Sequence, residues 1–203
     1  YTKPEKRMPR LSKLNISKLS TEQTKFVRSL TTGKRGINRT SDDFTYTDGS
    51  LKGPFNAWLY STEIGQHAQK LGEAIRFDSA IPTKLREVAI LSVAAHWQSQ
   101  YEWWAHAQIA LKEGLPKTVI NALKKEETPL ETEPGIKAVA AFVQETLDKK
   151  QASDDTFNAV LEYLGERGIV DLTMLIGYYC LVSASLNVFQ VPLPEGIDPP
   201  FGE

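Results

Sequence analysis

One cysteine in 203 residues, Cys180, leaves no partner for an internal disulfide and no Cys-x-x-Cys pair for thiol redox chemistry or zinc. Net charge is nearly absent too. The 24 basic residues almost cancel the 25 acidic ones, which removes the general electrostatic case for a nucleic acid or an acidic membrane as partner and leaves a small molecule as the expected ligand. Apolar and polar residues nowhere alternate with the period of a strand, so an all-α fold is expected. The uncharged run from Leu172 to about Phe189 is long enough to cross a membrane, but Tyr178, Tyr179, Ser183, Ser185 and Asn187 make it too polar. A helix buried in the core or in an interface is the expectation, with no membrane. The length suits one core: an N-terminal arm over 1–18, a helical domain over 19–195 and a C-terminal tail over 196–203. The chain starts at Tyr1 rather than Met, so the compartment is open; we expect the cytoplasm, or secretion if a signal segment preceded Tyr1.

Helical spacing organises most of the chain. Ser20 followed by Gln23 reads as a capping box for a short helix carrying Phe26, Val27 and Leu30, and Gly33 and Gly36 end it. Residues 31–56 show no sustained period and read as a long irregular segment. Ser61 is placed to cap a helix whose inner stripe is Ile64, Ala68, Leu71 and Ile75. After Pro82 comes a helix apolar nearly all round, in which Glu87 demands a partner. Ser99, three before Glu102, starts the next helix, which Gly114 stops. Further helices are expected after Pro116, around Ile136 to Leu147, and after Ser153 until Gly165 and Gly168 interrupt; Asp171 is placed to cap the last.

The chemistry concentrates in Leu85 to Gly114, which holds two of the three histidines and three of the four tryptophans. Residues four apart on a helix share a face, so Glu102 and His106 fall side by side. A turn near Gln98 to Gln100 folds this helix antiparallel to the one before and brings Glu87 to within about one helical turn of His106's depth, at ~1.5 Å per residue. A carboxylate buried near imidazole suits proton transfer near neutral pH, which makes Glu87, Glu102 and His106 the candidate catalytic set. Glu102 has a second reading, as the reciprocal partner of Ser99 in a capping box. His67 and His96 have no such company. The same three side chains are conceivable metal ligands, but no His-x-x-x-His or cysteine spacing supports that, so neither a metal nor a cofactor is expected. Trp58, Ser99, Trp103, Tyr178 and Asn187 are the candidate substrate-binding residues, although tryptophans are more often core than platform.

Arg86-Glu87, then Tyr101-Glu102-Trp103 and His106, then Gly114-Leu115 form a series that resembles the carboxymuconolactone decarboxylase family, in the AhpD-like superfamily of alkylhydroperoxidase-type proteins. Gly53 to Leu59, Ile176 to Tyr179 and Asn187 to Pro192 are similar to its longer members. The resemblance implies a helical fold built around a buried hairpin and a homo-oligomer: dimer, trimer or hexamer. Its thiol peroxidase branch relays protons through a glutamate, a Cys-x-x-Cys pair and a histidine. Carried over, the glutamate falls on Glu87, the histidine on His106, and the cysteines on Ser99 and Glu102. Both thiols are therefore missing. The expectation is a cofactor-independent acid/base enzyme, a lyase acting on a small organic acid or lactone, in which His106 delivers a proton, Glu102 orients it and Glu87 relays it. The alternatives are a hydroperoxide-reducing antioxidant protein without the cysteine pair and a non-catalytic ligand-binding or structural oligomer.

Overall fold

The computed structural model describes residues 8–202; residues 1–7 of the expected arm and Glu203 of the expected tail lie outside them. Among the described residues there are nine α-helices and no strand beyond two isolated bridges, so the fold is all-α as expected. The chain divides into two compact units, one of residues 1–78 and 185–192, the other of 79–184 and 193–203. The domain expected over 19–195 is thus shared between them.

In the first unit, α1 (Thr21–Thr32) opens on the capping box: Ser20 Oγ accepts from the Gln23 N–H, and the Gln23 side chain accepts from the Ser20 N–H. Phe26 and Leu30 are buried against α4 (Thr62–Phe77) and its surroundings. The expected irregular stretch is more structured than its composition suggests. A 3-10 turn at Lys34–Gly36 is followed by α2 (Ser41–Phe44), which Thr40 and Asp43 cap reciprocally. The antiparallel bridges Asn15 to Ser50 and Thr45 to Leu51 pin the loop, with Phe44 and Leu51 buried.

The inner face of α4 differs from the expected stripe. Ile64 is 70% exposed and Leu71 is exposed as well; the buried positions are Gly65, Ala68, Gln69, Gly72 and Ile75. Close approach explains the rotation. The short α3 (Phe55–Trp58) packs on α4 so tightly that a Cβ on Gly65 would stand 2.7 Å from the Trp58 carbonyl oxygen. Glycines therefore line the face, and a hydropathy pattern cannot see them. Ser61 precedes α4 without making the expected side-chain cap.

The second unit is built on α5 (Thr83–His96), which packs against α6 (Gln100–Lys112), α7 (Lys117–Lys124) and α8 (Pro134–Lys149). Val88 to Leu91 and Val93 to Ala95 are all buried, as expected of a helix apolar on every side. Between α5 and α6 the turn is three residues, with Gln98 in the left-handed region at φ 46°. Gly114, at φ 80°, ends α6. Pro134 opens α8 and a left-handed Lys150 closes it.

The last helix, α9 (Asp154–Val188), is interrupted once, at Gly165 with φ 65° and ψ 178°, and not at Gly168. Asp171 caps nothing. It sits inside α9, and its Oδ2 accepts the backbone N–H of Ala80 at 2.8 Å. By length and composition α9 could cross a membrane, yet half of its most apolar window is buried inside the protein. On its outer side Val170, Met174 and Leu181 are exposed at spacings of four and seven residues.

The Gly65 contact gives a stability test. Gly65→Ala must push α3 away from α4, and we expect a loss of about 1–3 kcal/mol in urea unfolding with an unchanged m-value. A neutral effect would mean that α3 yields freely.

Candidate active site

Glu87 sits one turn into α5 and is 1% exposed, in a helix whose other buried residues are all apolar. A carboxylate there is stable only if something charged or hydrogen-bonding meets it. The α5–α6 hairpin supplies that group. His106 Nδ1 donates to Glu87 Oε2 at 2.6 Å, and on the other edge of the ring His106 Nε2 lies 3.0 Å from Glu102 Oε1. Both ring nitrogens therefore face carboxylate oxygens, an arrangement that suits the doubly protonated imidazolium. All three side chains are buried.

Electrostatics follow from that geometry. Burial on its own pulls the His106 pKa down, but the charges of Glu87 and then Glu102, with a hydrogen bond from each, more than reverse it and push the ring up to about 9. Arg86 Nε stands 4.0 Å from the second Glu87 oxygen, Oε1. On the remaining side, the Tyr179 ring meets the His106 ring edge-on, with centroids 5.4 Å apart. Tyr178 stacks edge-on against Tyr179 at 5.2 Å rather than reaching His106 itself.

The two readings of Glu102 are separated here. Ser99 stands at the N-cap of α6 but makes no side-chain cap, so no capping box forms. Glu102 turns along the helix to His106 instead. That leaves Ser99 Oγ fully buried with no hydrogen-bond partner, and Glu102 Oε2 with none among the described residues. Trp103 is buried beside them, one turn after Ser99 on the same face, under the ring of Phe201.

Trp58 and Asn187 belong to the first unit, where Trp58 Nε1 donates to Ser185 Oγ at 3.2 Å. Sequence reasoning also missed neighbours that matter. Tyr179 rather than Tyr178 touches His106, which only the rotation of α9 decides, and Arg86 was visible merely as the residue before Glu87. His96 does have carboxylate company: its Nδ1 lies 3.1 Å from Glu126 and 3.7 Å from Asp148, which α7 and α8 bring to it from distant parts of the sequence. Among the described residues, no group of three or more His, Cys, Asp or Glu side chains is arranged to hold a metal ion. Cys180 is half-buried on α9, and burial raises its thiol pKa against a weaker opposing hydrogen bond with Trp97.

The α5–α6 hairpin thus buries an imidazole between two carboxylates. Residues 62–145, which include the whole hairpin, match the carboxymuconolactone decarboxylase family. The chain thus carries a stretch similar to that family, running from the start of α4 into α8. Its fold is similar to the alkylhydroperoxidase AhpD core of an uncharacterised peroxidase-related protein from Ralstonia eutropha JMP134, at TM-score 0.71 and 14% identity over 93% of this chain and 94% of that one. It is also similar to a protein of unknown function from Agrobacterium tumefaciens, provisionally assigned to AhpD-type antioxidant defence, at TM-score 0.62 and 16% identity over 70% and 99%. No curated protein matches the chain in sequence.

The raised His106 pKa links to stability with a definite sign. Its folded value near 9 exceeds the ordinary 6.5, so its contribution, on the order of 3 kcal/mol, is fully present below pH 6.5 and is lost as pH rises through 9. Carbon-detected NMR titration should place His106 well above 8, and Glu87→Gln should lower it; a ring titrating near 6.5 in the folded protein would contradict the geometry. Melting temperature should fall between pH 7 and 10, and less so in a His106→Gln variant.

Proposed function

We propose that this protein is a cofactor-independent acid/base enzyme that moves a proton on a small organic acid or lactone, in the manner of carboxymuconolactone decarboxylation. The observation that carries the proposal is the His106 ring held between Glu87 and Glu102, with no sulfur on either. Because both ring nitrogens are already engaged, Glu102 rather than His106 is the group that meets the substrate. Its Oε2 is the oxygen left for a ligand.

In a decarboxylation the substrate carboxylate leaves as carbon dioxide, and its bonding pair delocalises into the conjugated lactone. A proton taken up from solvent at Glu102 Oε2 is then delivered to carbon. The carboxylate left behind is stabilised through Oε1 by the His106 imidazolium, which Glu87 keeps charged and oriented from the far edge. One proton is consumed, one carbon dioxide is released, and nothing is oxidised or reduced. The match of residues 62–145 to the carboxymuconolactone decarboxylase family supports the reading. An exposed apolar side of α9, at Val170, Met174 and Leu181, supports the expected homo-oligomer.

The second reading, reduction of hydroperoxides, is favoured by the names of the two similar structures. It requires an electron-pair donor, and the two thiol positions of that branch carry Ser99 and Glu102 here. The one cysteine, Cys180, has a thiol held in its neutral form by burial.

The test is a screen of lactones and unsaturated carboxylic acids with the wild type, run beside hydroperoxide consumption with a dithiol reductant. We expect turnover in the first assay and none in the second. His106→Gln should lower turnover by about 10²–10⁴-fold with the fold kept, and Glu87→Gln should shift the pH profile to lower pH. Full activity in His106→Gln would sink the relay, while peroxide turnover abolished by Cys180→Ser would establish the second reading in its place.

A further inference from the structure

The C-terminal tail returns to the start of α6, beside the site. The Gln100 side chain holds it at two points: its carbonyl oxygen accepts the Phe201 N–H at 2.9 Å, and its amide donates to the Gly202 carbonyl at 2.7 Å. Between those bonds the Phe201 ring stands edge-on against Trp103, with centroids 5.2 Å apart and planes at 70°. The ammonium of Lys124 lies over that ring, 6.0 Å from its centroid. Residues 195–199, which lead to Phe201, are all exposed, while Phe201 and Gly202 are held by Gln100.

What lies beside this contact gives it meaning. Ser99 and Trp103 are four apart on α6, and Ser99 and Glu102 are three apart, so the three share the face on which His106 lies one turn further on. Among the described residues Ser99 Oγ is buried without a hydrogen-bond partner, and Glu102 Oε2 has no protein partner. A buried hydroxyl left unpaired keeps its full desolvation penalty, and a ligand that accepts from it relieves that penalty.

We propose that Phe201 is a removable wall of the substrate site and a determinant of its specificity: latched by Gln100, the tail covers Ser99 and Glu102, and only a small ligand fits beneath it. This rests on the acid/base reading of the same site and names its substrate class more narrowly. The ligand bears a carbonyl oxygen to accept from the Ser99 hydroxyl and an acidic hydrogen within reach of Glu102 Oε2. An enolisable lactone or a conjugated acid meets both needs.

Access to Ser99 can be read without turnover. In a Cys180→Ser background, Ser99→Cys serves as a reporter, alkylated in the native protein with iodoacetamide and with a bulky fluorescein maleimide and followed by mass spectrometry. With the tail intact, we expect slow reaction with iodoacetamide and almost none with the maleimide. Adding Phe201→Ala or Gln100→Ala should speed both by about tenfold or more, the maleimide most, as the cost of opening is removed. Retention of the raised His106 pKa in each variant shows that the hairpin itself is intact. Rates unchanged by both tail substitutions, or a fast maleimide reaction with the tail in place, would overturn the proposal. If the reporter variant does not fold, amide hydrogen exchange at Gln100 to Trp103, compared between wild type and Phe201→Ala, reads the same opening; equal protection would overturn it. The labelling contrast survives even if no lactone is turned over, so failure here and failure of the enzymatic reading are distinguishable.

Discussion

A carboxylate at position 87 has to be answered, and the hairpin is arranged around the answer. Moving an ion of that size out of water costs several kcal/mol even after the protein relaxes, and α5 itself brings Arg86 to 4.0 Å from Glu87 Oε1. The three-residue turn at Trp97 to Ser99 brings α6 back antiparallel, so that His106 reaches Glu87 from the opposite helix at 2.6 Å. With the ring charged, its second nitrogen needs an acceptor as well, and Glu102, one turn earlier, provides it. Each residue of the trio thus requires the next. The α5 surface outside this point is given over to packing against α6, α7 and α8, which keeps water away and the pair strong.

That chain of needs also decides what Glu102 does. A carboxylate three residues after a serine at a helix start has a ready alternative, the capping box, and in α1 the same local pattern, Ser20 with Gln23, forms it in full. At α6 the imidazolium wins over the backbone amide because a charged donor in a buried setting is worth about twice a neutral one. The cost falls on Ser99, whose hydroxyl is left with no bond to make. Local helix chemistry is thereby broken at the place where a ligand would restore it, which is where violations of local rules are expected to collect.

The parts of the molecule legible in the sequence are those that depend on spacing along one helix. Helical content, the α1 box, the hairpin and the pairing of Glu102 with His106 all follow from periods of three and four residues. What escaped depends on contacts between elements. The inner face of α4 is set by how near α3 comes to Gly65, a property of backbones and not of hydropathy. Asp171 gives its carboxylate to the Ala80 N–H, 91 residues away, instead of capping its own helix. Gly168, without a left-handed φ, is simply helical, while Gly165 alone carries the break. His96 meets Glu126 and Asp148, and Phe201 meets Trp103, only because the chain returns to them.

Sulfur, or its absence, separates the two chemistries this fold can hold. Reducing a hydroperoxide transfers an electron pair to oxygen, so some group in the protein must end oxidised and be restored. Carboxylates, imidazole and a serine hydroxyl cannot fill that part; they take and give protons. The sulfur in the sequence is confined to Cys180, Met8 and Met174, with Met8 and Met174 exposed and the Cys180 thiol held neutral by burial. Glu87 and His106 are bonded all the same, and the far edge of the imidazole faces the Glu102 carboxylate. What such a frame can do to Glu102 is stabilise its negative form just after a proton has left, and that is the service a proton-transfer enzyme needs from it.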